Sequence, residues 1–437
     1  MIRQVFKNIK YETSLSIINR SGKLLIANLL GIPILFISNF YFIRLLGERM
    51  YGELVTVNVW LSVLTVIVLF GMDDLFIMVL PKEMSYYSAG TLAPAMLRWS
   101  FRICFFIFLL LVLLSSLVLR HSSLYIWFRQ QSAGIIFYFL MLAIFALLNA
   151  FFRGVNIILL GQFLDKVLRS SIVVGVLSFF YFTGRSLTFN QSLYIQAIAL
   201  LICILLFVRE FNRKFDLPFS EKVHFNKSIK PNLSFLGISL LNFLAARLDI
   251  LMLTAFSTPE QVGYYNVAAR ISDLLSFPSM ALYLILPTFL SREWVSNREN
   301  AIKTLRTIVI ISLAVVLSGL VLLLLFGRHI LGYFGENFAH SYWVMIFLST
   351  VNIFSIFSLP VNTIMMVDNK QRFSLVALAA YVLLILVISF FLVPMFGAIG
   401  AAIAMLSGSF FYLAVIHFIG SRLFAKDLSF IKFRINK

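Results

Sequence analysis

Residues 306–326 read RTIVIISLAVVLSGLVLLLLF, and this stretch decides the class of protein. An α-helix rises about 1.5 Å per residue, so the run is long enough to cross a bilayer core about 30 Å thick. Its one charged residue, Arg306, stands at the very start. Such an uninterrupted apolar run is typical of a transmembrane helix rather than of a core helix in a soluble domain.

The same bias extends over the whole chain. Of 437 residues, 61% are hydrophobic and only 12% are charged, whereas about 25% of residues are charged in an average soluble domain. A soluble fold of this length has too little interior for so much apolar surface. The composition therefore predicts an integral membrane protein. The two cysteines, Cys104 and Cys203, lie inside apolar runs and provide neither a disulfide framework nor a metal site.

Twelve apolar segments have the length of a transmembrane helix, and no series of short alternating strands of a β-barrel occurs. The second segment is long, and we expect it to leave the hydrocarbon near Gly71. The eighth contains Pro278 and Pro287, which predict a kink or an early end. The segments are residues 22–43, 54–80, 99–119, 134–152, 169–183, 192–208, 233–256, 262–290, 306–326, 342–361, 373–393 and 397–420.

The basic residues predict the orientation. If the N-terminus is cytoplasmic, the cytoplasmic loops hold most of the 36 Lys and Arg residues, as cytoplasmic loops of membrane proteins usually do. We therefore predict that both termini are cytoplasmic. This distribution also explains most of the net charge of +18 without a nucleic-acid partner.

A polar segment at 209–232 divides the predicted spans six and six. The loop after span one, RLLGERMYGEL (44–54), and the loop after span seven, AFSTPEQVGYY (255–265), align Gly52 with Gly263. Chance similarity of two tight loops is the alternative to a repeat. A repeat predicts two pseudo-symmetric six-helix lobes with a binding site at their interface. The predicted parts are an N-terminal lobe at 1–208, a cytoplasmic loop at 209–232, a C-terminal lobe at 233–420 and a basic cytoplasmic tail at 421–437.

Ionisable residues inside spans are the best candidates for function, because each costs roughly 2.5–3.5 kcal/mol to insert. Span seven carries Asn242, Arg247 and Asp249, with Asn242 and Asp249 seven residues apart and so on one face. Arg270 and Asp273 of span eight are three residues apart and can simply neutralise each other. Arg247 cannot lose its charge by deprotonation, so we expect it to face a water-filled cavity.

An anionic ligand fits this surplus of cations, because a guanidinium binds phosphate or carboxylate through two parallel hydrogen bonds. Lys23 at the start of span one can contribute, although it can equally extend to the lipid headgroups. The Walker A, HExxH and GxSxG patterns are absent, and the five His residues are scattered. We therefore expect a transport protein, not an enzyme, with no cofactor and no metal.

Three sequence elements carry a family resemblance. RLLGERMYGEL (44–54) resembles the R-x-L-G-x-x-x-Y-G element of polysaccharide flippases. RLDILMLTAFSTPEQVGYYNVAARI (247–271) resembles the start of their second half, and VPMFGAIGAAIAM (393–405) resembles the entry to their last span. In order and spacing, the chain is similar to the Wzx-type O-antigen flippases of the multidrug/oligosaccharidyl-lipid/polysaccharide (MOP) exporter superfamily.

The resemblance implies twelve helices in two lobes that open alternately to the two sides of a bacterial inner membrane. Such proteins translocate undecaprenyl-pyrophosphate-linked oligosaccharides, such as O-antigen repeat units, through a cationic cavity, with a proton or sodium gradient as the expected energy source. Membrane lipids and other polysaccharide-assembly membrane proteins are the further partners it implies. Asp249 and Arg270 match the second-half motif, and Arg44, Gly47, Tyr51 and Gly52 match the first-half loop.

Together these arguments give a hypothesis with two rivals. A multidrug/cation antiporter of the same superfamily needs cavity carboxylates, and the predicted spans of the first half offer only Asp73 and Asp74, near one end of a span. A membrane-embedded glycan polymerase or transferase needs a catalytic cluster and a long outer loop. The site residues of the hypothesis are Arg247, Arg270, Lys23 and Asn242 for pyrophosphate and sugars, Asp249 and Asp273 for ion coupling or charge pairing, and Arg44, Gly47, Tyr51, Gly52, Gly263, Gly397 and Gly400 for loops and gating.

Overall fold

The computed structural model describes the backbone of residues 2–77, 80, 89–119, 125–214, 233–296 and 298–424. Side chains are described for most of these residues, but not before Leu30. Within these ranges the chain is helical and contains no strand, so the all-α fold class expected from the sequence is confirmed.

The helices follow one another with short breaks. In chain order they are α1 (Ile2–Leu69), α2 (Ala89–Leu119), α3 (Tyr125–Gly154), α4 (Ile158–Gln162), a π-helical turn (Phe163–Leu168), α5 (Arg169–Phe182), α6 (Phe189–Lys214), α7 (Leu233–Phe256), α8 (Pro259–Asp273), a 3-10 turn (Leu274–Ser276), α9 (Phe277–Ser296), α10 (Arg298–Gly332), a 3-10 turn (Glu336–Ser341), α11 (Tyr342–Val367) and α12 (Gln371–Phe424).

Eight of the described helices are long and apolar enough to cross a membrane. Two of them hold two predicted spans each, since α1 is divided at Gly47 and α12 at Gly397. The φ angles there are 77° and 55°, in the left-handed region that glycine adopts without a steric penalty. The two arms of α12 pack closely on each other: a Cβ at Gly408 in the second arm would meet the side chains of Ile385 and Tyr381 in the first. The count of twelve spans is therefore approximate.

Two other predicted spans are broken where the sequence indicated. Helix α1 ends at Leu69, and Phe70 and Gly71 have positive φ angles of 48° and 74° before the helix resumes. The helix therefore breaks at the position where we expected the second span to leave the hydrocarbon. The eighth predicted span is divided by the 3-10 turn just before Pro278, whereas Pro287 lies inside α9 without ending it.

The chain forms two compact units. The first combines Gly22–Met50 with Val57–Phe243, and α3 and α6 pack along each other in its interior. The second combines Met1–Ser21, Tyr51–Thr56 and Leu244–Lys437.

Aromatic rings fill the core of the first unit. Phe152 stacks obliquely on Phe207 with ring centroids 4.7 Å apart, and Phe151 contacts Phe211 at 5.8 Å. In the second unit α11 is central and packs against α8, α9, α10 and α12.

Parts of the predicted domain division fall outside the described residues. The inter-lobe loop predicted at 209–232 is described only to Lys214, up to which it continues α6 as helix. The basic tail predicted at 421–437 is described only to Phe424, the last residue of α12. Helix α7 contributes its first turns, through Phe243, to the first unit and the rest to the second.

Candidate functional site

Helix α7 presents the charged residues that the sequence singled out. Asp249 is buried, with 7% of its surface exposed, and Arg247 is half-buried. Asn242 is exposed and lies in the part of α7 that belongs to the first unit. The structure therefore does not group Asn242 with Asp249 in one unit, although the helical spacing put them on one face.

Asp249 is held by Tyr265 of α8. The Tyr265 hydroxyl donates a hydrogen bond to Oδ2 of Asp249, and both side chains are buried. The second carboxylate oxygen, Oδ1, is also buried and accepts no hydrogen bond from the described residues. A buried carboxylate oxygen without a donor is costly, so this oxygen is available to a proton or a cation.

Arg247 lies near Asp249, Arg270 and Asp273, close enough to interact with all three electrostatically. It makes no ion pair shorter than 4 Å with any residue in the described part of the chain. An Arg at membrane depth without a close carboxylate needs water or an anion to compensate its charge. The side chain is thus chemically suited to bind a phosphate group.

Arg270 pairs with Asp273 as their spacing predicted. The Nη1 to Oδ2 distance is 3.5 Å, and the Asp273 side chain is 54% exposed. A long contact with an exposed partner contributes little to stability. The Nε of Arg270 is buried and finds no acceptor within the described ranges. One donor of the guanidinium is therefore unsatisfied in this conformation.

The two loop elements of the predicted repeat meet inside the second unit. Asn266 of α8 donates a 2.7 Å hydrogen bond from Nδ2 to the hydroxyl of Tyr51, and both residues are buried. Gly52 packs so closely on the backbone carbonyl of Pro259 that a Cβ would overlap it. Gly263 is buried on the same helix α8. Tyr51 and Gly52 thus fix the start of α8, which carries Tyr265 and Arg270.

The other predicted residues have separate positions. Gly397 lies beside Gln261, whose Oε1 accepts a 3.2 Å hydrogen bond from the Ala398 amide. Gly400 is buried against the Leu392 backbone of the other arm of α12. Arg44 is exposed in the first unit, with its guanidinium 5.4 Å from the Phe40 ring. The side chain of Lys23 lies outside the described residues.

A path of polar side chains that sequence reasoning missed leads from Asp249 into α11 and α12. Tyr381 lies near Asp249 and Tyr265, and its ring centroid is 5.6 Å from that of Tyr412. The Tyr412 hydroxyl accepts a 2.9 Å hydrogen bond from Nδ2 of Asn362. The signal was available, since these are polar residues in otherwise apolar spans.

The first unit contains its own charged cluster on the π-helical turn. Oδ1 of Asp165 is 3.4 Å from Nη1 of Arg169, and Oδ2 is 3.6 Å from Nζ of Lys166. Nearby, the buried Tyr138 hydroxyl donates a 3.2 Å hydrogen bond to Gln196. Asp165 is therefore neutralised by two cations. No group of three or more His, Cys, Asp or Glu residues with metal-binding geometry occurs in the chain as described.

Comparison with known proteins identifies the same architecture. A family model described as polysaccharide biosynthesis protein matches residues 19–286. Lipid II flippase MurJ in an inward closed conformation matches with a TM-score of 0.68, at 12% identity, over 91% of this chain and 87% of that chain. No curated protein matches the chain.

Multidrug resistance MATE family transporters of the MOP superfamily match equally well. The inward-facing conformation gives a TM-score of 0.68 at 13% identity over 94% of this chain and 99% of that chain. The outward-facing conformation gives 0.64 at 14% identity over 95% and 96%. At such identities the likeness shows the fold, which is that of a multi-pass helical membrane protein of the MATE and MurJ type.

Proposed function

Because the chain belongs to the polysaccharide biosynthesis protein family, we propose that it translocates a lipid-linked oligosaccharide across the bacterial inner membrane. The substrate we propose is an undecaprenyl-pyrophosphate-linked unit such as an O-antigen repeat. Both termini are cytoplasmic in this proposal, and the chain makes or breaks no covalent bond and uses no cofactor. The fold shared with a lipid II flippase supports this choice of substrate class.

One observation carries the proposal: the half-buried Arg247 lacks a close ion pair while Arg270 keeps an unpaired Nε nearby. Two guanidinium groups can bind the four non-bridging oxygens of a lipid- and sugar-linked pyrophosphate, which carry two negative charges, through charge-assisted hydrogen bonds. The roles that the sequence suggested for Asn242 and Lys23 in contacting the substrate stay predictions. The polyprenyl tail stays in the hydrocarbon of the bilayer, because moving it from lipid to protein brings no hydrophobic free-energy gain.

Asp249 is the proposed binding site of the coupling ion, a proton or a sodium ion. Tyr265 satisfies one carboxylate oxygen and leaves the other for the ion. When the ion is bound, the negative charge that attracts Arg247 is neutralised, and Arg247 interacts more strongly with the substrate. Asp273 serves as the exposed partner of Arg270. Gly47 and Gly397 allow the helix arms to reorient.

The test is complementation of a flippase-deficient bacterial strain, with surface polysaccharide as the readout. Arg247→Ala should abolish surface polymer, and Arg247→Lys should leave partial activity because a point charge lacks the paired donors. Arg185→Ala is the matched control, since Arg185 is exposed and its guanidinium lies over the Phe179 ring, 5.9 Å from the ring centroid. Full activity of the Ala variant at equal membrane abundance would contradict the role of Arg247.

A multidrug/cation antiporter is the second candidate, favoured by the buried and half-satisfied Asp249 and by the MATE fold. Against it, Asp165 of the first unit is already neutralised by Lys166 and Arg169. Normal polymer together with increased sensitivity to cationic drugs in a deletion strain would favour the antiporter. Loss of polymer with unchanged drug sensitivity would favour the flippase.

A further inference from the structure

Two adjacent carboxylates share one serine hydroxyl in the first unit. The Oγ of Ser239 lies 3.2 Å from Oδ1 of Asp73 and 2.9 Å from Oδ2 of Asp74. Ser239 belongs to the first turns of α7 and is buried. Asp73 and Asp74 follow the left-handed turn at Gly71 and lie past the end of the candidate span at Leu69. The two contacts join positions that are far apart in the sequence: Asp73 precedes Ser239 by 166 residues, and Asp74 precedes it by 165.

The number of protons decides what this geometry can hold. A serine hydroxyl has one hydrogen and two acceptor lone pairs, while an ionised carboxylate only accepts. If both carboxylates are ionised, a single hydrogen has to serve two negatively charged oxygens. One additional proton on Asp74 gives each contact its own hydrogen, because Asp74 then donates to Oγ of Ser239 and Ser239 donates to Asp73.

The backbone around the cluster keeps these groups together. A Cβ at Gly71 would lie 2.7 Å from both the Leu236 amide nitrogen and the Phe235 Cβ, so the turn packs directly on the start of α7. On the other side, a Cβ at Gly154 would lie 2.7 Å from the Phe76 carbonyl. No side chain larger than hydrogen fits at either position, and the serine therefore stays within reach of both carboxylates.

The charged and titratable neighbours act in opposite directions. Burial raises the pKa of the Asp74 carboxyl, the hydrogen bond from Ser239 lowers this pKa, the negative charge of Asp73 raises it, and Arg153 of α3 lowers it. Cys104 of α2 also lies within electrostatic range of Asp73. The net direction is upward, so the folded protein takes up a proton here more readily than an ordinary aspartate does.

We propose that Asp73, Asp74 and Ser239 form a proton-binding site that fastens the first turns of α7 when one proton is bound. The hydrogen bonds described above are those of the protonated state. Because the pKa of Asp74 is higher in the folded protein, the fastened state gains stability as the pH falls through that pKa and loses it as the pH rises.

Ser239 lies on the same helix as Arg247 and Asp249, the residues of the proposed substrate and ion sites. Helix α7 is continuous from Leu233 to Phe256, and Arg247 stands eight residues after Ser239, about 12 Å along the helix axis. A proton at Asp74 therefore restrains the helix that carries Arg247 and Asp249. A role of this restraint in substrate transport rests on the proposed function. Proton binding at Asp73, Asp74 and Ser239 does not depend on it.

Hydrogen–deuterium exchange of the full-length protein in detergent tests the proposal. Exchange of the Leu233–Phe243 backbone is measured between about pH 5 and pH 8, with times corrected for the intrinsic pH dependence of exchange. We expect protection of the wild type to fall by about tenfold toward the higher pH, corresponding to one pKa unit of differential proton binding. Asp74→Asn should remain protected at both pH values, because its amide donates to Ser239 and cannot ionise.

Two further variants complete the design. Ser239→Ala should lose protection at both pH values. Asp165→Asn is the matched control, since Asp165 is a half-buried carboxylate of the same unit on another helix, and it should retain the wild-type pH profile. Infrared titration should detect a protonated carboxyl band in the wild type that Asp74→Asn removes.

Protection that is independent of pH in the wild type, with no carboxyl band attributable to Asp74, would overturn the proposal and show that Ser239 shares its hydrogen between two ionised carboxylates. Neither measurement requires substrate. If proton binding is not detected but polysaccharide export is intact, the proposed flippase function is unaffected. If proton binding is detected but export does not depend on this protein, the proton-binding site is unaffected.

Discussion

The amide of Asn266 donates a 2.7 Å hydrogen bond to the hydroxyl of Tyr51, which is 215 residues earlier in the chain. Both side chains are buried. Tyr51 lies in the loop motif after the first predicted span, and Asn266 lies one residue beyond Tyr265, the donor to Asp249. The contact therefore orients the helix that supplies the hydrogen-bond partner of the proposed ion-binding carboxylate.

Tyr51→Phe should destabilise the protein by about 1–3 kcal/mol, because it leaves the buried Asn266 amide without its acceptor. Thermal unfolding in detergent measures this, with Tyr181→Phe as a control at an exposed tyrosine. The double variant Tyr51→Phe/Asn266→Leu should recover part of the loss, since it removes both polar partners. A fully additive double variant would show that the hydrogen bond is not the cause.

Gly52→Ala should be strongly destabilising, because the added methyl group overlaps the carbonyl of Pro259 and overpacking typically costs about 1–3 kcal/mol. Gly175→Ala provides the matched control, since a Cβ there meets no atom within 4 Å and the position is inside α5. The control should be neutral or slightly stabilising. Equal melting temperatures of the two variants would refute the close approach at Gly52.

Gly397→Ala should cost about 1–2 kcal/mol, because residue 397 has a φ of 55° that an L-amino acid with a Cβ adopts with strain. Gln261→Leu removes the hydrogen bond to the Ala398 amide at the same turn. In the double variant it should add only weakly to the loss of stability, because both changes disturb the same local structure. Expression level and unfolding temperature measure both effects. Wild-type stability of Gly397→Ala would mean that the division of α12 does not require glycine.

Asp249→Asn should uncouple transport from the ion gradient without abolishing substrate binding, because the amide keeps a hydrogen bond with Tyr265 but binds neither a proton nor a cation by charge. Proteoliposomes with and without an imposed proton or sodium gradient test this. We expect the gradient to stimulate transport by the wild type and not by the variant. Stimulation of the variant equal to that of the wild type would remove Asp249 from the coupling mechanism.

The sequence predicted what depends on neighbours along the chain. The apolar runs gave the helical membrane class, and Gly71 and Pro278 indicated where predicted spans break. The pairing of Arg270 with Asp273 followed from a spacing of three. Tyr51 and Asn266 illustrate what local patterns cannot reveal, because their contact joins segments 215 residues apart.

The same limit explains the missed residues. Ser239 and Tyr381 look like ordinary polar residues in apolar helices, and only the fold brings them to Asp74 and Asp249. Helical spacing places Asn242 on one face of α7 with Asp249, and only the fold shows that the two residues belong to different compact units. The periodicity of an α-helix determines which of its residues share a face, but not which neighbouring helix that face packs against.

The π-helical turn at Phe163–Leu168 has an evolutionary consequence. Such a turn holds one more residue than the α-helical turn it replaces, so it absorbs a single-residue insertion without disturbing the flanking helix. Deleting one residue within this turn should therefore restore an ordinary α-helical turn and leave the flanking helical segments in register. Deleting one residue of α5 after the turn would instead rotate the rest of that helix by about 100° and turn its buried face away from the core. In an alignment of related chains, we expect length changes in this helix to be balanced within these six residues rather than tolerated elsewhere along it.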